Sequence, residues 1–124
     1  MFVNFSNHPV QNWSEKQKES AAEYGDIVDL PFPAVPAAAN ESEIEMLAEN
    51  SVRNIMEIIG MDQQSAVMVQ GEFTLTYAVV NKLLSRGIKT VSACADRMVS
   101  ETEDDEGNMI KHVGFHFERF REYR

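Results

Sequence analysis

The chain has a single cysteine, Cys94, in 124 residues. It therefore has neither an intrachain disulfide nor a cysteine-built zinc cluster, a composition suited to a reducing cytosol. Basic residues are also scarce: 11 Lys and Arg against 20 Asp and Glu leave a formal net charge of -9. That balance excludes the broad positive footprint that duplex nucleic acid requires, while a small anionic ligand in a local pocket stays allowed. No apolar run approaches the ~20 residues of a membrane span, and the opening residues lack a basic segment followed by a hydrophobic one. The expectation is a cytoplasmic protein with no membrane partner. Neither a G-x-G-x-x-G fingerprint nor a Walker loop occurs, so a dinucleotide or nucleoside triphosphate cofactor has no support. No cofactor and no metal are expected.

What is there is the alternation of an α/β domain spanning residues 1–124, a length that buries enough surface for one core without staples. Phe2-Val3-Asn4-Phe5 is aromatic and β-branched and is cut off by Asn7 and Pro9, which favours a first buried strand. Ser14 followed by Gln17 has the form of a capping box, and its helix is predicted to run to Tyr24 and stop at Gly25. Ile27 to Leu30 reads as a second strand, after which Pro31, Pro33 and Pro36 force an extended exit that displays Phe32 on a stiff loop. Asn40 or Ser42 caps a helix whose core stripe is Ile44, Leu47, Ala48, Val52, Ile55, Met56 and Ile59. Ala66 to Val69 is apolar enough for a strand buried on both faces, and a third helix carries Leu75, Ala78, Val79, Leu83 and Leu84. Ile88 to Ala93 supplies a fourth strand. The order βαβαβαβ demands parallel strands and right-handed crossovers. Met98 to Glu103 and Met109 to Phe120 flank the turn cluster Asp105-Glu106-Gly107-Asn108 and read as a terminal antiparallel hairpin. The predicted fold is a Rossmann-like three-layer sandwich, mainly parallel, with that hairpin added.

Three polar segments follow β-rich runs: Asn4 to Pro9, Gln70 to Thr74, and Ser92 to Arg97. In an open parallel sheet all three lie at the carboxyl edge, where such sheets bind ligands. Asn4, Ser6 and Asn7 offer amides and a hydroxyl for a base or ribose, and His8 can move a proton near neutral pH. The same residues also suit a turn that bonds its own backbone. Gln70 and Gly71 precede a helix start whose free N–H groups can hold phosphate, with Gly71 allowing close approach and Thr74 nearby. Glu72 either faces a ribose, base or cation, or caps the helix. Cys94 is either a nucleophile assisted by Asp96 or Arg97, or a packed small side chain. His112 and His116 share a strand face with Glu118, as a half-exposed face or as two ligands of a metal site without a characteristic third. The acidic clusters Glu41 to Glu49 and Glu101 to Glu106 read as solvated surface.

The opening strand with Asn-Phe-Ser-Asn-His-Pro, the strand-to-helix Gln-Gly-Glu-Phe-Thr and the small size resemble compact stand-alone CRISPR-associated Rossmann-fold (CARF-like) proteins. The resemblance implies a homodimer that binds a cyclic oligoadenylate second messenger and degrades or sequesters it. In a metal-independent ring nuclease, a ribose 2'-OH is positioned in line with the adjacent phosphate. His8 would then be the base or acid, and Arg97 would neutralise developing charge. Asn4, Ser6, Asn7, Gln70, Gly71, Glu72, Thr74 and Cys94 would line the ligand. Phe32, Phe117, Phe120 and Tyr123 are the expected apolar contacts of the dimer, unless they pack within the monomer. The competing readings are a non-catalytic sponge, an unrelated nucleoside or sugar-phosphate enzyme working through Glu72 and Cys94, and a purely structural oligomer.

Overall fold

The structure, a computed structural model, describes residues 1–124. In chain order its elements are β1 (Phe2–Ser6), a short 3-10 turn (Val10–Asn12), α1 (Glu15–Ala22), β2 (Ile27–Pro31), α2 (Glu41–Ile59), β3 (Ala66–Gln70), α3 (Phe73–Ser85), β4 (Lys89–Glu103) and β5 (Met109–Glu122). The strands form one sheet in the order β2-β1-β3-β4-β5, parallel except for the β4–β5 pair. This is the expected α/β architecture with its terminal antiparallel pair.

The three layers follow from the alternation of side chains along β1 and β3. Val3, Phe5, Val67 and Val69 point to one face, where Val52, Ile55 and Ile59 of α2 and Leu75, Val79 and Leu83 of α3 cover them. Phe2, Ala66 and Met68 point to the other, under Trp13 and Ala21. Ser14 accepts a hydrogen bond from the Gln17 N–H at 3.2 Å to start α1, and Asn40, not Ser42, accepts from Glu43 N–H at 2.9 Å to start α2. α1 stops at Ala22, so Tyr24 and Gly25 lie in the following turn.

Two expectations fail, each for a physical reason. Phe32 is not displayed on a loop: its N–H bonds the Ser6 carbonyl at 3.2 Å, and its ring is buried against Phe5 with centroids 4.8 Å apart. An aromatic side chain beside an open strand end gains more from covering the core than its proline-stiffened backbone loses. The segment Ser92 to Arg97 is not a loop after a strand either, because β4 runs unbroken for 15 residues. Its partner β5 continues the ladder after β3 has ended, so the β-rich residues on both sides of Cys94 stay extended.

The β4–β5 pair projects beyond the core as an arm, closed by a turn in which Asp104 accepts from Glu106 and Asn108 N–H at 3.0 and 2.8 Å. A bulge opposite Cys94 and Ala95 adds Glu118 to β5. The extra residue lets Phe117 and Phe120, three apart in sequence, meet with ring centroids at 4.9 Å. Phe120 also packs on Phe2 and Trp13, and the Tyr123 hydroxyl donates to the Val69 carbonyl at 2.8 Å. These tail aromatics are thus engaged within the chain.

Gly71 is required by Phe32. A Cβ there would lie 2.5 Å from the buried ring. We expect Gly71→Ala to lower stability by roughly 1–3 kcal/mol through overpacking, and Phe32→Ala by about 3–5 kcal/mol. Urea unfolding of the double variant should fall well short of the sum, because removing the ring removes the clash. Additive losses would show that the two residues do not meet.

Candidate functional site

The crossovers leave β1 in opposite directions, α1 leading to β2 and α2 returning past β1 to β3, so the sheet reverses between β1 and β3. Open α/β sheets bind ligands outside the carboxyl ends of their strands at such a reversal. Here that point is flanked by Ser6-Asn7-His8 and by Gln70-Gly71-Glu72, which are register neighbours through Ser6 and Gln70.

An open cleft of about 580 Å³ lies there, between the β1–α1 connection and the root of the arm. Asn7, His8, Asn12 and Gln17 line one wall, Gln70 the floor, and Phe115 and Phe117 the arm side, with Trp13 between. Its size falls within the ~300–1,000 Å³ typical of small-ligand pockets. Four side-chain amides, three aromatic rings and one imidazole make a lining that can read the edges and face of a planar heterocycle. His8 is the only titratable side chain in it. Arg97 does not line the cleft but shares the arm face that does: it is the Cα partner of Phe115, and paired residues of an antiparallel ladder share a face. A larger depression of about 850 Å³ between α2 and α3 is lined by Glu49, Arg53, Glu57, Lys82 and Arg86, the mixed charges of solvated helix faces, and includes no residue from the carboxyl end of a strand.

The other site candidates are committed elsewhere. Asn4 and Ser6 are buried in a network that builds the β1–α1 connection. Asn4 Nδ2 donates to the His8 carbonyl and to Asp29 Oδ1, both at 2.8 Å, and Ser6 Oγ donates to Asn4 Oδ1 at 2.6 Å. Ser6 Oγ in turn accepts from His8 N–H at 3.1 Å, and Trp13 Nε1 donates to the same His8 carbonyl at 2.8 Å. They hold the loop that carries His8 and do not line the cleft. Glu72 caps α3: its carboxylate accepts from Leu75 and Thr74 N–H at 2.8 and 2.9 Å, and from the Thr74 hydroxyl. The helix start read as a phosphate cradle is filled by the protein's own anion, and the close approach at Gly71 is that of Phe32. Cys94 pairs with Arg119 and Asp96 with His116, on the sheet face opposite Arg97 and Phe115. Gln70 reaches across to β4, its Oε1 accepting from Ala93 N–H at 2.5 Å.

The alternative metal reading of the tail has no assembled ligand set. His112 Nε2 is 2.8 Å from the Thr102 hydroxyl, the bulge turns Glu118 toward Lys16 of α1 at 3.7 Å, and no group of three His, Cys, Asp or Glu side chains converges. Sequence reasoning missed Asp29, Asn12, Trp13, Gln17, Phe115 and Phe117. One signal was available for Trp13, the single tryptophan immediately before the capping Ser14. Phe115 and Phe117 alternate with His116 at the period of a strand, which marks a shared face but not what lies opposite it.

Two outcomes test these assignments. Asn4→Ala strips donors from the His8 carbonyl and Asp29, and should cost about 1–3 kcal/mol while shifting Trp13 fluorescence; an unchanged spectrum and midpoint would show the network to be idle. The Leu75 and Thr74 N–H groups hold the Glu72 pKa below its ordinary 4.5. A carboxylate so depressed adds stability that is complete above the unfolded value and is lost as pH falls through the folded one. Glu72→Gln should therefore melt below wild type at neutral pH, and the gap should narrow on acidification below about 4.5. A gap that does not depend on pH would exclude the charged cap.

A family model described as the Uncharacterized protein MJ1673 family matches residues 1–121. No curated protein and no solved structure matches the chain. With nearly its whole length aligned, from β1 through the bulged strand β5, the chain belongs to the MJ1673 family.

Proposed function

We propose that the chain binds a cyclic oligoadenylate and cleaves it at the cleft that carries His8. The observation behind this reading is the cleft itself, a strand-reversal site lined by amides and aromatic rings with a single titratable group. Such a lining suits an adenine, which presents hydrogen-bonding edges and a stacking face. The choice of a cyclic oligoadenylate rests on the resemblance to CARF-like proteins, which also implies a homodimer.

In the reaction the ribose 2'-oxygen attacks the adjacent phosphorus, the bond to the 5'-oxygen breaks, and a 2',3'-cyclic phosphate and a 5'-hydroxyl result. A proton leaves the 2'-oxygen and one reaches the departing 5'-oxygen. His8 is the group in the cleft able to do either. Arg97, on the arm face beside Phe115, offsets charge gathering on the phosphate. The bonds that fix the His8 backbone to Asn4, Ser6 and Trp13 supply the orientation on which in-line attack depends. Glu72 in its cap and Cys94 on the far face weigh against an enzyme built on those two groups.

The test is mass spectrometry of a cyclic-oligoadenylate panel before and after incubation with the protein. His8→Ala should slow single-turnover cleavage by roughly 10²- to 10⁴-fold and leave binding largely intact. Wild-type protein that binds the ring and returns it unaltered would replace cleavage by sequestration at the same cleft. Failure to bind any member of the panel would overturn the proposal.

A further inference from the structure

The arm carries surface that the fold does not use. Beyond Val91, β4 has no neighbour on the β3 side, and β5 is the sheet edge throughout. A two-stranded ribbon is marginal in water, yet this one exposes Val99, Met109, Val113 and Phe115 on the cleft face and Met98 and Ile110 on the other. On the face opposite the cleft, successive cross-strand pairs are Ser92–Arg121, Cys94–Arg119, Asp96–His116, Met98–Gly114, Ser100–His112 and Thr102–Ile110.

Gly114 sits at the middle of that face. It does not have a positive φ, and a Cβ added there would meet nothing within 4 Å. The monomer has no need of glycine at a position where glycine weakens a strand. Close approach of another backbone is the use that remains. The charges supply the identity of that backbone. Arg119 and Arg121 lie at the root of the face, and the turn at the tip carries Asp105 and Glu106. None of these four side chains is ion-paired within the chain. Ser92, the partner of Arg121, lies six residues before Met98, and the turn begins at Asp104, six residues after it. Six extended residues span about 20 Å. A two-fold axis along the Met98–Gly114 row therefore lays each acidic tip over the basic root of the other copy.

We propose that this arm face is the homodimer interface of the chain, two arms packing antiparallel with Gly114 of one copy against Gly114 of the other and the two Met98 side chains beside each other. The face is self-complementary in charge, as an isologous contact requires. It also leaves the opposite face, with Phe115 and the cleft, open. The surface is argued from the arm alone and is measured without nucleotide, so its failure would leave the ligand of the cleft to its own test.

The experiment is sedimentation equilibrium over micromolar concentrations. Wild type should be a dimer that weakens as salt is raised. Gly114→Val, which has room in the monomer and suits a strand, should fold as well as wild type and raise the dimer dissociation constant by roughly tenfold or more. Arg119→Glu with Arg121→Glu, and separately Asp105→Lys with Glu106→Lys, should each be monomeric, and an equimolar mixture of the two variants should dimerise. A monomeric wild type, an unaffected Gly114→Val dimer, or a mixture that stays monomeric would each overturn the interface, and a monomeric wild type would leave the face to a different partner.

Discussion

Everything in this molecule hangs on the parallel pairing of β1 with β3. Four of their five register pairs, from Phe2–Ala66 to Phe5–Val69, are buried on both faces, so α2 and α3 must cover one side and α1 the other. The crossovers that satisfy this burial run in opposite directions from β1, and the chain cannot close the gap that results at the carboxyl ends. The cleft is therefore a consequence of how the core is covered. Asn7, His8 and Gln70 stand beside it because they lie at the carboxyl ends of the two central strands, Gln70 being the register partner of Ser6.

The fold was legible in the sequence because its signals are local. Ser14 with Gln17, Asn40 at the start of α2, the apolar run Ala66 to Val69 and the turn after Asp104 each announce one element through its own hydrogen bonds or burial. The site was legible only in address. Polarity after a strand marks the sheet edge, but it does not say whether a polar group faces ligand or its own backbone. Asn4 and Ser6 alternate with Val3 and Phe5 and by type alone suit a ligand as well as a turn; what decides their role is Asp29, which reaches Asn4 only once β2 has paired with β1. Glu72 likewise carries either meaning until its carboxylate is seen on the Thr74 and Leu75 amides.

The error at Cys94 has a different origin. A strand ends where its ladder ends, and β4 outlives its contact with β3 because β5 returns to pair with it. That return is a long-range event with no mark at residues 94–97 themselves. It divides the segment by the two-residue alternation of a strand, sending Arg97 to the cleft face and Cys94 and Asp96 to the other. A thiol, a carboxylate and a guanidinium adjacent in sequence thus never form one constellation.

The bulge at Glu118 ties the arm to the cleft. Phe117 just beyond it is 7% exposed and belongs to the core, whereas Phe115, two residues further out on the same face, is 69% exposed. The arm wall of the cleft therefore straddles the boundary of the packed domain, half on the core and half on a ribbon that the core does not support. A ligand stacked on Phe115 would favour those conformations in which the arm is ordered, and whatever orders the arm would lower the entropy lost on binding. If a second copy covers the outer face, a ribbon that also carries a wall of the cleft would couple the two surfaces through its own stiffness, with no contact between the ligand and the second face.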